Sequence, residues 1–412
     1  MAGPLNENSR VVIVGAGHGG VAVAGRLRQA GYDGKIVLLG DEPGAPYHRP
    51  PLSKTLLGES HAQPLKPTSF YTDQRIDLRS GVSVVGIDRR HRNVQTAHHG
   101  TIGYDTLVLA TGSRSRPLKV PGSDLDGVVE LRTATDAERL RGLLRPGTRL
   151  VVVGGGYVGL EVAAAVAPHG INATIIERED RLLARVASRE LSAHLEAAHR
   201  NSGIGVRCGA EVAAFVPRPD GALAGVQLRD GRRVEADVAL VGIGALADDA
   251  LARDAGLACD DGVLVDEDSR TDDPSIWAVG DATRRLVRGA DAAVRLESIP
   301  SATEQASIAV AAMLGHDRPA TEVPWFWSDQ LGHKLQMAGF VHMGEETVVR
   351  GDRATDRFAL FHLKDGRIVA VEAVNSARDY MAGRKLIRDA VPVDRRRLAD
   401  TETPLRAVAL VA

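Results

Sequence analysis

Cysteine is nearly absent: the 412 residues contain two, Cys208 and Cys259. They stand 51 positions apart (259 − 208) and form no CxxC pair. That excludes a thioredoxin-like dithiol, a disulfide scaffold and a cysteine-built zinc site. Two lone thiols fit a reducing cytosol, as small buried side chains. Charge of one sign is lacking as well, because 51 Lys and Arg face 53 Asp and Glu for a formal net charge of −2. No global field therefore draws the chain to nucleic acid or anionic lipid. No run of about 18 apolar residues occurs, so no membrane span is expected. The opening MAGPLNENSR has neither the charged nor the apolar region of a signal peptide. A cytoplasmic protein is expected. Aromatics are scarce at 4%, whereas 44 glycines exceed the usual ~7% of residues. Glycine in an Ala/Val-rich chain points to tight strand-to-helix turns and close approach of backbone to ligands.

What is present is a repeat. Arg10 to Val14 reads as a buried parallel strand, followed by Gly15-Ala16-Gly17-His18-Gly19-Gly20 and a helix from Val21 to Ala30. A second strand, Lys35 to Leu39, leads to Asp41. The order returns with the strand Arg149 to Val153, the turn Gly154-Gly155-Gly156-Tyr157-Val158-Gly159, a helix from Leu160 to Pro168, and the strand Ala173 to Ile176 ending at Glu177. Each copy has a late echo. Tyr104 to Gly112 ends 97 positions after the first glycine (112 − 15), and Ala236 to Gly244 ends 90 after the second (244 − 154). Two nucleotide-binding modules are expected in one chain.

Each turn has a physical logic. The first glycine permits the tight turn, the second lets backbone approach a pyrophosphate, and the third lets helix pack on strand. The helix N-terminus then offers free N–H groups and the positive end of its dipole to phosphates. The acids follow at 26 positions for Asp41 (41 − 15) and 23 for Glu177 (177 − 154), near the ~20 expected of a ribose-binding carboxylate. Glu177 would accept from a ribose diol and repel a 2′-phosphate, which favours NADH over NADPH. Arg178 and Arg185 are the residues that a 2′-phosphate would otherwise meet.

Three further segments carry signals. In Arg49-Pro50-Pro51-Leu52-Ser53-Lys54 the diproline predicts an extended backbone. Lys54 is then either aimed by a helix beginning at Ser53 or exposed on a loop. The strand Ile276 to Val279 ends in Gly280-Asp281, at the edge where open parallel sheets bind ligands. Asp281 either accepts from ligand hydroxyls or caps a helix. Ser301 and Glu304 have capping-box spacing ahead of a helix to about Leu314. After Arg318-Pro319-Ala320 come Val323 to Gln330, with two of the three tryptophans, and strands at Leu335–Phe340, Thr347–Arg350, Phe358–Leu363 and Ile368–Val374. A helix at Ala377–Asp389 completes a small α+β domain. The fold class is α/β, two Rossmann-like nucleotide-binding domains plus this C-terminal α+β domain. The expected boundaries are 1–115 with 245–320, then 116–244, then 321–412.

The order GxGxxG, RPPLSK, ATG, GxGxxGxE, VGIG, Trp-Ala-Val-Gly-Asp, SIPSAxEQA and PWFWSDQ resembles the FAD-dependent NADH:ferredoxin reductases of bacterial oxygenase systems, within the pyridine nucleotide-disulfide oxidoreductase superfamily. The likeness runs from about residue 10 to the stretch beginning at Val374. It implies FAD in the first module, with Gly15, Gly17, Gly19 and Gly20 at its pyrophosphate and Asp41 at its ribose. Arg49, Lys54, Thr111, Gly112 and Arg132 would line the flavin site, with Val84 beside the adenine. Gly280 and Asp281 would meet the ribityl chain, Ile299 the ring edge, and Trp327 would border the flavin. NADH would lie on Gly154, Gly156, Gly159 and Glu177, with Glu161 near the nicotinamide. The family often has Asn where this chain has Ser301.

The resemblance also implies a chemistry. Hydride passes from nicotinamide to flavin when the rings stack, so the protein supplies alignment and electrostatics. A helix starting at Ser301 is expected to stabilise charge on the reduced flavin, and Lys54 and Glu161 to hold each other ionised. Disulfide-reducing relatives need a cysteine pair near the first acid, but Gly44 to Pro50 contains no sulfur. Electrons are therefore expected to leave singly to a [2Fe–2S] ferredoxin. Arg284, Arg285 and Arg288, or Arg395 to Arg397, are candidate docking residues for so acidic a partner. A reductase of rubredoxin, quinone or oxygen, or a slow redox-sensing flavoprotein, are the alternatives. The 13 histidines show no metal-ligand spacing such as HExxH, and no metal is expected.

Overall fold

A computed structural model describes residues 5–58 and 62–410; residues 1–4 of the opening stretch discussed above lie outside it. The chain falls into two compact units, Met1–His48 with Gln63–Arg114 and Leu246–Pro324, and Arg49–Ala62 with Ser115–Ala245 and Trp325–Ala412. The fold is α/β, as expected.

The first unit is built on a five-stranded sheet in the order Ile276–Ala278, Thr106–Leu109, Arg10–Val14, Lys35–Gly40, Ile76–Ser80. Every pairing in it is parallel. Parallel strands are buried on both faces, so successive side chains enter different cores. Val11 and Ile13 pack with Leu27, Ile36, Leu38 and Val310 on one face. Val12 and Val14 pack with Leu39, Leu107 and Ile276 on the other. A three-stranded antiparallel sheet, Val84–Asp88, Asn93–Thr96 and Thr101–Gly103, precedes the late strand.

The second unit repeats this plan. Its parallel sheet runs Val128–Val129, Val238–Val241, Arg149–Val153, Asn172–Ile176, Gly205–Arg207, and a three-stranded antiparallel sheet again precedes the late strand. The same unit holds a five-stranded antiparallel sheet, Trp325–Gln330, His333–Gly339, Arg367–Val374, Arg357–Lys364, Glu346–Asp352, with the helix Ala377–Asp389. Among the described residues no helix is long and apolar enough to cross a membrane.

Several local expectations change. Both nucleotide-type helices begin inside their glycine turns, at His18 and Tyr157 rather than Val21 and Leu160, because Gly17 and Gly156 are extended N-caps. The second ends at Val166, where Pro168 enforces a 3₁₀ turn closed by Gly170 at φ 72°. The diproline is not extended. Pro50 is helical and Pro51 opens a short helix, Pro51–Lys54, since proline at the first helical position loses no hydrogen bond. Ser301 does not cap the late helix. That helix is Ile299–Leu314, and Ser298 Oγ accepts from the Ser301 N–H at 3.2 Å. Glu304 instead pairs with Arg285 at 2.9 Å.

Candidate active site

The two glycine turns fold alike for one steric reason. Gly15 and Gly154 have φ of 107° and 110°, and a Cβ there would fall 2.1 Å from the Ala110 carbonyl oxygen or 2.4 Å from that of Gly242. Gly20 and Gly159 allow each helix to sit on its own turn, with Cβ positions 1.9 Å from Gly15 O and 2.5 Å from Gly154 O. Gly19 faces Val279, its Cβ position 3.2 Å from Cγ2. The middle glycines differ. A Cβ on Gly17 meets nothing within 4 Å, and one on Gly156 only Gly242 O at 4.0 Å. Their absent side chains leave open space beside each helix start.

The helix starts themselves fit an anion. Helices opening after Thr133, Ser188 and Ser298 are capped by those side chains. Those opening after Gly17 and Gly156 have no side-chain cap, so an anion suits each helix start as the cap that the chain itself does not supply. This fits the pyrophosphate of a dinucleotide at each turn.

The acids differ between copies. Asp41 is exposed at the end of its strand. Glu177 is half-buried and tied to its own turn: Oε2 accepts from the Gly155 N–H at 2.6 Å and Oε1 from the Glu179 N–H at 2.8 Å. Arg178 turns to Glu179, at 2.9 Å.

Four other expected residues, Thr111, Gly112, Gly280 and Asp281, follow the C-terminal ends of the strands Thr106–Leu109 and Ile276–Ala278. Gly280 takes φ 82°, and its N–H donates to buried Gln305 at 2.8 Å. Asp281 is not a helix cap; it accepts from Ser113 Oγ at 3.0 Å. The Thr111 hydroxyl donates to Asp248 O at 2.6 Å, and Gly112, at φ 77°, accepts from the Asp248 N–H at 3.0 Å. Ile299 opens the capped helix, and Val84 begins an antiparallel strand packed against the second core. His18 and His48 meet at 3.2 Å.

The second unit gathers the most concentrated polar cluster. Glu161, on the helix Tyr157–Val166, is 5% exposed. Its Oε1 takes the Lys54 ammonium at 2.9 Å and the Ser328 hydroxyl at 2.5 Å; Oε2 takes the Ser53 hydroxyl at 2.6 Å. Lys54 also reaches Asp329 at 3.4 Å. Two chain segments thus converge on a carboxylate carried by a third, and the Lys54–Glu161 ion pair exists as geometry. The sequence does not mark Ser53, Ser328 and Asp329 as partners of this pair. The available signal was their adjacency to Lys54 and Trp327, with Ser328 and Gln330 two apart on one face of a strand. Arg49 donates to the Arg132 carbonyl at 2.6 Å. Trp327 stands in the strand Trp325–Gln330, its ring 5.6 Å from that of Trp325. Tyr157, whose hydroxyl burial holds protonated, packs on Phe326 at 4.7 Å.

Neither thiol is a relay. Cys208 and Cys259 are half-buried and free, not fully buried as expected. Burial pushes the Cys208 thiol up to about 11 and raises that of Cys259, so both stay protonated at neutral pH. One of the candidate docking arginines is corrected: Arg285 is buried against Glu304 and Ser301. Arg284 stays part-exposed, in an ion pair with Asp260.

Comparison with known proteins matches residues 9–306 to the pyridine nucleotide-disulphide oxidoreductase family and residues 325–409 to a reductase C-terminal domain. A probable ferredoxin reductase, CtmF, of Castellaniella defragrans is 44% identical over 410 residues, 98% of this chain and 100% of that protein. Putidaredoxin reductase CamA of Pseudomonas putida is 39% identical over 415 residues, 99% of this chain and 98% of that one. Among solved structures, the covalent putidaredoxin reductase–putidaredoxin complex superposes with a TM-score of 0.94 at 39% identity, covering 98% of each chain.

Proposed function

Because the chain belongs to the pyridine nucleotide-disulphide oxidoreductase family and carries its reductase C-terminal domain, we propose that it is an NADH-dependent, FAD-containing ferredoxin reductase. Its acceptor in this reading is a [2Fe–2S] ferredoxin that feeds a cytochrome P450 or ring-hydroxylating dioxygenase, and its compartment is the cytoplasm. The supporting observation is the duplicated pair of uncapped, glycine-opened helix starts in a chain whose two thiols stand 51 positions apart (259 − 208) and form no CxxC-type pair. When bound, FAD supplies what side chains lack, the exchange of a two-electron hydride for single electrons.

The residues divide the remaining work. Gly15, Gly17, Gly19 and Gly20 would hold the FAD pyrophosphate, Asp41 its ribose, and Asp281 a ribityl hydroxyl. The helix Ile299–Leu314 contributes the positive end of its dipole, a field worth up to ~2 kcal/mol. Gly154, Gly156 and Gly159 would hold NADH, and Glu177, already oriented by two backbone N–H groups, would accept from its ribose diol. Arg178, occupied by Glu179, leaves a 2′-phosphate without that partner. Lys54 and Glu161 form one positioning unit, each ion held by the other with Ser53 and Ser328. The three-part division at 1–115 with 245–320, 116–244 and 321–412 belongs to the same proposal.

The test is a spectrum. The purified protein should show oxidised-flavin bands that NADH bleaches and added [2Fe–2S] ferredoxin restores. A colourless protein, or bleaching that ferredoxin does not reverse faster than air, overturns the reading.

A further inference from the structure

Outside the Glu161 cluster, two histidines and an aspartate of the second unit converge. His194 lies on the helix Arg189–Asn201, His333 opens the strand His333–Gly339, and Asp356 ends the 3₁₀ turn Arg353–Thr355. His194 Nε2 stands 3.4 Å from one carboxylate oxygen of Asp356, and His333 Nε2 stands 3.3 Å from the other. The three ligand-capable atoms lie within 4.8 Å of one another. Both imidazoles are 10% exposed and the carboxylate 49%, so two largely buried rings meet a carboxylate that solvent reaches.

These contacts are not ordinary hydrogen bonds. A histidine–carboxylate bond in the same unit, His362 Nε2 to Glu372 Oε2, closes to 2.9 Å, the usual hydrogen-bond distance. His194 Nε2 is buried without any hydrogen-bond partner, as is His333 Nδ1. Ligand bonds of about 2.0–2.1 Å in a tetrahedral shell set neighbouring donor atoms about 3.3 Å apart. The Asp356 contacts, one imidazole to each carboxylate oxygen, fall near that spacing, and a small side-chain movement would close the shell on one ion. Phe358 packs edge-on to the His194 ring at 4.9 Å, and Asn375 Nδ2 holds the Asp356 carbonyl at 3.0 Å, so ring and turn are both oriented. Arg353 is the nearby charge that opposes a cation, and its guanidinium is engaged by the Glu190 carbonyl at 3.3 Å.

We propose that His194, His333 and Asp356 form a binding site for one divalent transition-metal ion of the zinc type, with a coordination position left for water. Two imidazoles and a carboxylate suit that class of ion. The ion would tie the helix Arg189–Asn201 to the antiparallel sheet, adding stability by mass action. No spacing rule finds such a site, since its ligands stand 139 (333 − 194) and 23 (356 − 333) positions apart.

The test uses the untagged full chain, stripped with a chelator and dialysed against Co(II) or Zn(II). The expected result is one ion per chain, an X-ray absorption shell with two imidazoles and no sulfur, and a melting temperature that rises with zinc. Asp356→Asn and His194→Gln should each weaken binding at least about tenfold while leaving the metal-free melting temperature in place. Asn suits the left-handed backbone of Asp356, φ 55°, so Asp356→Asn folds and decides the matter even if His194→Gln does not. Wild-type affinity equal to that of Asp356→Asn, or a shell containing sulfur, overturns the proposal.

Discussion

Asp41 and Glu177 follow the same strand in two copies of one module, yet their surroundings differ. The strand order, the glycine φ values and the antiparallel insertion repeat closely. Asp41 is exposed, whereas Glu177 is held by two backbone N–H groups, one of them from its own glycine turn. Duplication has preserved the backbone and let the side-chain chemistry diverge. On the proposed function, a ligand that stays bound needs no pre-set acceptor, while one that arrives at every turnover gains from a carboxylate already oriented.

The largest effects should separate the glycines that serve the fold from those that serve the ligand. Gly15→Ala and Gly154→Ala drive a Cβ into a carbonyl oxygen at positive φ, and each should cost about 3 kcal/mol or more in urea unfolding. Gly17→Ala and Gly156→Ala meet no close protein atom and should cost about 1 kcal/mol or less as N-cap changes. Gly17→Ala should instead lose FAD, and Gly156→Ala should bind NADH far more weakly. Wild-type NADH affinity in folded Gly156→Ala would remove the second turn from the comparison.

Next comes Glu161, a buried acid in the second copy. Glu161→Ala strands the Lys54 ammonium with Asp329 at 3.4 Å as its remaining ion partner. The loss should approach ~3 kcal/mol, with a matching fall in the rate of flavin reduction by NADH. Lys54→Met leaves Glu161 two hydroxyl donors and should cost less. Stability measured in the opposite order would show that the cation, not the carboxylate, organises the cluster. Glu177→Ala is smaller again, about tenfold in NADH affinity or ~1.4 kcal/mol, read by titration. An equal effect on FAD retention from Asp41→Ala would erase the contrast between the two acids.

What was legible in the sequence follows from what acts locally. The β-branched runs at Arg10–Val14 and Arg149–Val153 end where the strands end, because glycine at positive φ stops them. The helix Ala377–Asp389 is bounded by its own apolar period. Misread features depend on contacts or on competing local signals. Ser298 and Ser301 both resemble N-caps, and Pro300 decides between them by fitting the first turn. Arg285 reads as a surface charge until Glu304, 19 positions on, buries it. Ser328 stands 167 positions from Glu161, a separation no periodicity reports. Lys54 and Glu161 pair in the sequence only through the family resemblance, and Ser53 reads there as a helix start, its bond to Glu161 spanning 108 positions.

The smallest effect probes the same two copies at the foot of the sheet. The first-strand arginine donates its N–H to an aspartate before the late strand in both, Arg10 to Asp105 at 2.7 Å and Arg149 to Asp237 at 2.9 Å. The guanidiniums then part company. That of Arg10 turns to Gly103 O at 3.2 Å, whereas that of Arg149 grips Asp237 at 2.7 and 3.0 Å, with Arg218 alongside. Hydrogen bonding from Arg149 holds the Asp237 carboxyl well below the usual carboxylate range. A depressed folded pKa contributes stability above the unfolded value, and the contribution is lost as pH falls toward the folded one. Asp237 is 30% exposed, so solvent screening limits the contribution to about 1 kcal/mol. Urea midpoints between about pH 5 and pH 3 should therefore fall less steeply in Asp237→Asn than in the wild type. An unchanged slope would mean that the arginine grip in the second copy adds nothing to the backbone bond that both copies share.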